Sequence, residues 1–170
     1  MVGGALKVWQ GVAMDGDGVI AAVMAAVPGA VAFAPGLRVG GAYAVVIGLA
    51  RPVAFARGGV AGELQGWLVY AGSAYGPGGI GARVGRHLRR DKAAKWHVDA
   101  LTGAADWLGA VAVPGGRECD VVAALLARSF PGGGFETALA GFGSSDCRVC
   151  AGHLLHAKRS LINCDQHQAP

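Results

Sequence analysis

The chain has 170 residues and a mass of 17.0 kDa, with 33 Ala and 30 Gly. A hydrophobic share of 53% excludes a disordered chain, and glycine without a three-residue period excludes a collagen-like one. The formal charge of +4 is local: residues 81–95 hold six Lys/Arg against one Asp, on an otherwise slightly acidic body, which points to a local anion site rather than a diffusely cationic protein.

In chain order, the first feature is an uncharged run between Asp17 and Arg38, GVIAAVMAAVPGAVAFAPGL. Its length permits a membrane span. Pro28, Pro35, three Gly and little Leu or Ile argue against one. Ala32-Phe33-Ala34 has the form of a signal cleavage site, but Asp15 and Asp17 precede the run and argue against a secretory signal. The expectation is a short helix from Gly18 to Val27, ended by Pro28, within an N-terminal extension of unassigned role spanning residues 1–39.

From Gly40 onward, β-branched residues predict a strand over Ala42–Leu49, a short one over Val53–Ala56 and a third over Gly66–Ala71. The glycine-rich turn SAYGPGG leads into a helix expected from Ile80 to Lys92. A second helix is expected over Trp96–Trp107, a strand over Gly109–Val113, and a helix over Glu118–Ser129. Gly132–Gly134 reads as a loop, and residues 157–170 as a polar, frayed tail. One α/β domain over residues 40–156 follows, a small sheet covered by helices.

The segment Ile80–Lys95 is the most informative. On a helix, Arg83, Arg86, His87 and Arg90 stand at i, i+3, i+4 and i+7 and share one face. Guanidinium groups gathered this way call for an anion, and Arg suits bidentate contact with phosphate oxygens. The preceding strand and Gly/Ser turn could offer backbone N–H groups to the same phosphate. It is not a P-loop, because no Gly-Lys-Ser/Thr follows. A solvated basic face is the plainer alternative.

The four cysteines are Cys119, Cys147, Cys150 and Cys164. They are too few for a disulfide scaffold, and the Cys147/Cys150 pair reads as a thiol or metal pair in a reducing, cytoplasmic setting. With His153 and His156 it offers zinc donor types, and Cys119 could also approach. A buried reduced pair beside a packed histidine is the alternative. Asp146 could cap a helix following the Cys pair. His97 and Asp99, two positions apart, would not share a helix face, so they make a poor two-ligand metal site. Trp96 reads as core, and His97 as a DNA contact or a helix cap.

Six signals in order carry a family resemblance: Gly41-Ala42-Tyr43, Tyr70-Ala71-Gly72, Arg83 with His87, WHVDAL at 96–101, Glu118-Cys119, and FGSSDCRVCAGHL at 142–154. Together they resemble the GIY-YIG nuclease superfamily, and more closely a branch of small stand-alone members with the C-terminal FGSSDCxxCxxHL motif. Ala42 and Ala71 depart from the name-giving pattern at strand positions, where packing rather than chemistry changes. The spacing from Tyr43 to Tyr70 is longer than in the compact homing enzymes, so Val53–Gly66 is expected to be an inserted strand or loop.

The resemblance implies a small, mainly antiparallel central sheet flanked by helices, and a DNA endonuclease dependent on Mg²⁺ or Mn²⁺. Tyr43 would activate the attacking water, Tyr70 would support it, and Arg83 would stabilise the phosphate charge. His87 would assist proton transfer and Glu118 would hold the Mg²⁺. A phenol has a pKa of about 10, so neighbouring cations must help it act as a base. Ser73, Arg86, Arg89, Arg90, Lys92, Lys95 and His97 are the candidate DNA contacts. The expected partner is DNA, branched, nicked or single-stranded, with a protein partner for targeting and no membrane. The competing readings are a non-catalytic nucleic-acid-binding module and a zinc-stabilised interaction protein.

Overall fold

A computed structural model of the chain describes residues 15–128 and 133–159. Helix α1 spans Gly16–Ala26 and is followed by the short strand β1, Val31–Ala32. A long hairpin of β2 (Gly41–Arg57) and β3 (Val60–Ser73) comes next. Helices α2 (Gly79–Leu88) and α3 (His97–Ala104) lead to β4 (Trp107–Pro114), α4 (Glu118–Leu126), β5 (Gly133–Thr137) and β6 (Leu154–Arg159). The strands form one sheet in the order β1-β4-β2-β3-β6-β5, and every neighbouring pair is antiparallel. The expected α/β class with a small antiparallel sheet and flanking helices is therefore the fold observed.

Strand alternation divides the core into two layers. Ala42, Ala44, Val46, Val69, Ala71, Val111 and Val113 face α1 and α4, packing with Val19, Val23, Val121, Val122 and Leu125. Tyr43, Val45, Ile47, Leu68 and Ala112 face α2 and α3, packing with Ile80, Val84, Val98 and Leu101. Helices on both faces explain why β2 is buried without interruption from Gly41 to Leu49, and why its sequence reads as a continuous apolar run. Large anchors compensate for the thin Ala/Gly side chains. Phe135, Phe142 and Ile47 are fully buried, each adding about 1.5–3 kcal/mol over exposure.

The N-terminal uncharged run is not a membrane span. Asp15 caps α1 by accepting a 2.8 Å hydrogen bond from Gly18 N–H, and the helix stops before Pro28 as expected. Val19, Val23 and Val27 then enter the core, so part of the N-terminal extension helps to build the domain. Among the described residues no helix is long and apolar enough to cross a membrane.

Several local expectations change. The strands at Ala42–Leu49 and Val53–Ala56 are one strand, β2, with a register shift between Leu49 and Val53. The Val53–Gly66 insertion is the outer half of the β2–β3 hairpin. Helix α2 ends at Leu88 rather than Lys92, because Arg89 adopts an extended conformation. The Lys92 ammonium donates back to the carbonyls of His87 and Arg89, which the helix end would otherwise leave unpaired. The helix at Trp96–Trp107 shortens to α3, since Trp107 pairs with Gly48 as the first residue of β4. The Gly132–Gly134 loop becomes a strand from Gly133, while Gly132 lies outside the described residues. No helix follows the Cys pair; the chain enters β6, so Asp146 has no helix to cap. The α4 expectation to Ser129 and the tail beyond 159, including Cys164, reach outside the described residues.

Candidate active site and Cys/His cluster

Residues Tyr43 and Tyr70 point to the α2 face because the hairpin pairs Tyr43 with Gly72 and Val45 with Tyr70, placing the tyrosines diagonally across two strands. Their ring centroids are 6.5 Å apart. Each ring lies against a glycine. A Cβ at Gly72 would stand 2.3 Å from both Cζ and Oη of Tyr43, and one at Gly143 would stand 2.9 Å from Cε2 of Tyr70. The last residue of YAG and the glycine of FGSS are thus space-making positions for the two aromatic rings.

Helix α2 buries Ile80, Val84 and His87 on one stripe. This stripe brings His87 under β2, where its Nε2 lies 2.8 Å from the Tyr43 hydroxyl. His87 is also ringed by Tyr70 at 6.0 Å and Trp96 at 5.4 Å, centroid to centroid. Its Nδ1 is buried with no hydrogen-bond partner among the described residues and faces Asp99 Oδ1 at 3.9 Å.

Asp99 is the hub of the region. It accepts hydrogen bonds from both terminal nitrogens of Arg86 at 2.8 and 3.0 Å. It also accepts from the backbone N–H groups of Lys95 and Trp96 at 2.7 and 2.8 Å, closing the start of α3. Burial alone would raise its pKa, but the bonds from Arg86, Trp96 and Lys95 and the Arg86 charge hold it at about 2. Burial pushes His87 down to about 4, with Lys92, Arg86 and Arg83 adding to the fall and Asp99 opposing it. Burial raises the Tyr43 hydroxyl well above its ordinary value and raises that of Tyr70 as well. The Arg83 charge lowers both, and the Glu118 charge raises both. Tyr43, Tyr70 and His87 are thus in mutual contact, with Arg83 on the neighbouring Trp96 ring.

The basic segment is organised differently from its helical-wheel reading. Arg83 and Arg86 stack on the Trp96 ring, with guanidinium carbons 4.5 and 4.2 Å from its centroid. Arg86 already has its anion in Asp99, so it needs no external phosphate. Arg90 lies beyond the end of α2, leaves the shared face and donates to the Ala105 carbonyl. Lys92 closes α2. His97 packs between Phe55 and Phe142 at 5.8 and 5.9 Å. Ser73 is half-buried at the end of β3, whereas Arg89 and Lys95 are exposed. Asp99 and Trp96 are the site-building residues that the sequence reading gave no such role.

The second constellation gathers Cys119, Cys147, Cys150 and His153, whose ligand atoms all lie within 4.8 Å of one another and could hold a metal ion. His156 is not part of it. It stands three residues beyond His153 on an extended segment, so it points to the opposite face, and it sits in β6 across from Leu68 and Glu136. Cys119, on the first turn of α4, takes its place. The Cys147 sulfur accepts backbone N–H bonds from Cys150 and Val149, which with His153 lower its pKa to about 6. Burial and the neighbouring sulfurs push Cys150 up to about 12. One thiolate flanked by two thiols is what a soft cation would complete.

No curated protein and no solved structure matches this chain. Residues 42–169, most of the chain and the whole of both constellations, match a family model described as a domain of unknown function, DUF123, and the protein belongs to that family.

Proposed function

We propose that the protein is a GIY-YIG-type DNA endonuclease that cleaves phosphodiester bonds by tyrosine-assisted attack of water. The observation that carries this reading is the Tyr43 hydroxyl, which meets His87 Nε2 at 2.8 Å while the charges of Arg83 and Glu118 act on the same oxygen. The resemblance over GAY, YAG, Glu118-Cys119 and the C-terminal FGSSDCRVCAGHL supports the same assignment. Neutral His87 accepts the Tyr43 proton at Nε2. Tyr43 in turn takes a proton from the attacking water, whose oxygen bonds to phosphorus as the bond to the leaving oxygen breaks. The leaving oxygen is protonated from solvent. Asp99, facing Nδ1, stabilises the imidazolium that forms, and Arg83 neutralises charge on the phosphate oxygens.

Glu118, a half-buried carboxylate at the start of α4 whose charge acts on both tyrosines, is the residue that would hold Mg²⁺. When bound there it would supply positive charge against the developing phosphate charge. The soft donors of the Cys₃His cluster suit zinc instead, a second ion with a structural task. Arg89 and Lys95 are exposed cations, available to a DNA backbone.

Incubation of the full chain with nicked, branched and single-stranded DNA and Mg²⁺ tests the reading. Cleavage that disappears in Tyr43→Phe and Glu118→Ala is the expected result. Binding that falls steeply with salt, with no cleavage of any substrate, would leave a nucleic-acid-binding module.

A further inference from the structure

We propose that a zinc ion held by Cys119, Cys147, Cys150 and His153 staples the first turn of α4 to the segment leading into β6, and so sets the position of Glu118. The zinc site itself is independent of the nuclease reading; only its consequence for Glu118 as a Mg²⁺ ligand rests on it.

The four ligand atoms all lie within 4.8 Å of one another. Zn–S bonds of about 2.3 Å and Zn–N bonds of about 2.0–2.1 Å place ligand atoms roughly 3.5–3.8 Å apart. The Cys119 and Cys147 sulfurs stand 3.6 Å apart, and Cys119 Sγ lies 4.0 Å from His153 Nε2. Among the described residues all three cysteines are free thiols. Cys147 and Cys150 are preset by two backbone N–H bonds to the Cys147 sulfur, at 3.4 Å from Val149 and 3.2 Å from Cys150. Three thiolates and an imidazole select Zn²⁺ over Mg²⁺, whereas the lone carboxylate of Glu118 has the opposite preference, so the two ions do not compete.

The coupling follows from chain connectivity. Cys119 is the residue after Glu118, and the start of α4 has no side-chain cap, because Arg117 makes no such bond. A metal bond at Cys119 is therefore the restraint that this helix start otherwise lacks. The other ligands tie the ion to the tyrosine strand. The His153 carbonyl accepts from Ala71 N–H at 2.9 Å, next to Tyr70, and Gly143 lies against the Tyr70 ring. One ion thus links the helix that carries Glu118 to the strand that carries Tyr70.

Metal analysis of the purified full chain, combined with hydrogen exchange, tests the staple. About one Zn per chain is expected, lost in Cys150→Ala and kept in His153→Cys, which preserves four soft donors. Removal of zinc by a chelator should speed amide exchange about tenfold or more at residues 118–122 and 142–153, and leave the β2–β4 ladder unchanged. Affinity for Mn²⁺, used as a probe of the Glu118 site, should fall about 10–100-fold in zinc-free protein and be retained in His153→Cys. Failure of the purified chain to hold zinc would overturn the site. Zinc loss without faster exchange at 118–122 would overturn the staple. An unchanged Mn²⁺ affinity in zinc-free protein would overturn its effect on Glu118. Intact zinc and exchange protection without any DNA cleavage would instead sink the nuclease reading alone.

Discussion

The Tyr43 hydroxyl and His87 Nε2 form a buried 2.8 Å hydrogen bond between the first long strand and the helix that crosses it. Burial keeps His87 neutral at pH 7, and in the tautomer that places its proton on Nδ1, the nitrogen facing Asp99, Nε2 accepts and the Tyr43 O–H donates. That polarity is the one the proposed relay uses, with the proton leaving the phenol as the phenol takes one from water. Burial, which raises the phenol and lowers the imidazole, opposes the transfer, so cationic charge at the site has to offset it. Replacing Tyr43 with Phe should lower cleavage by about 10²–10⁴-fold, and replacing His87 with Gln by a similar order. The double variant should fall little further than either single one, because the two groups act as a unit. Rates on one oligonucleotide, compared across the cycle, check this.

The same burial gives His87 a stability signature. Its folded pKa, about 4, lies below the ordinary value of 6.5. Between those values the unfolded chain binds a proton that the native protein refuses. His87 therefore destabilises the fold progressively as pH falls from about 6.5 to about 4, by an order of 3 kcal/mol in total, and has no such effect above that window. Urea unfolding at pH 7.5 and 5.0 should show wild type losing more stability on acidification than His87→Gln. Equal losses would contradict the buried neutral imidazole.

Asp99 behaves in the opposite protonation range. Its carboxyl is held at about 2, below the ordinary 3.8, by Arg86 and two backbone N–H groups. The stability it supplies is complete above about pH 4 and is lost as pH falls toward 2, on the order of 2 kcal/mol. Asp99→Asn should cost about 2–3 kcal/mol at pH 7, because Arg86 loses its carboxylate and the two N–H groups at the start of α3 keep only a weaker acceptor. Denaturant midpoints across pH 2–7 give both values.

Glycine at position 72 is required by packing. Gly72→Ala places a methyl 2.3 Å from the Tyr43 ring carbon Cζ and from its hydroxyl oxygen, and should cost about 1–3 kcal/mol. It should also weaken cleavage by displacing Tyr43 from His87. Gly85→Ala is the contrasting substitution. It lies inside α2 with nothing within 4 Å of the added carbon, and should stabilise by about 0.5–1 kcal/mol. Thermal melts of the two variants should move in opposite directions.

Much of the architecture was legible from local pattern. Pro28 marked the end of α1, the run AYAVVIGL marked the central strand, and the glycine-rich turn SAYGPGG marked the start of α2. Strands β5 and β6 were not legible. Phe135 and Leu155 become core only because β6 joins the edge of β3, and neither segment has enough length or alternation to announce a strand. The choice of Tyr43, Tyr70, Arg83, His87 and Glu118 came from the order of motifs along the chain, and the fold brings Tyr43, Tyr70 and His87 into contact.

What the sequence by itself determined is which side chains this protein owns and, inside elements whose bounds it set correctly, which face each takes, because backbone periodicity is local. What only the tertiary structure decided is who meets whom. Arg86 found Asp99 rather than an external phosphate, Arg90 passed beyond its helix to Ala105, and Cys119 replaced His156 beside Cys147, Cys150 and His153. Each of these partnerships joins separate elements. Their distances depend on strand register and helix placement across the whole sheet, which no window of sequence contains.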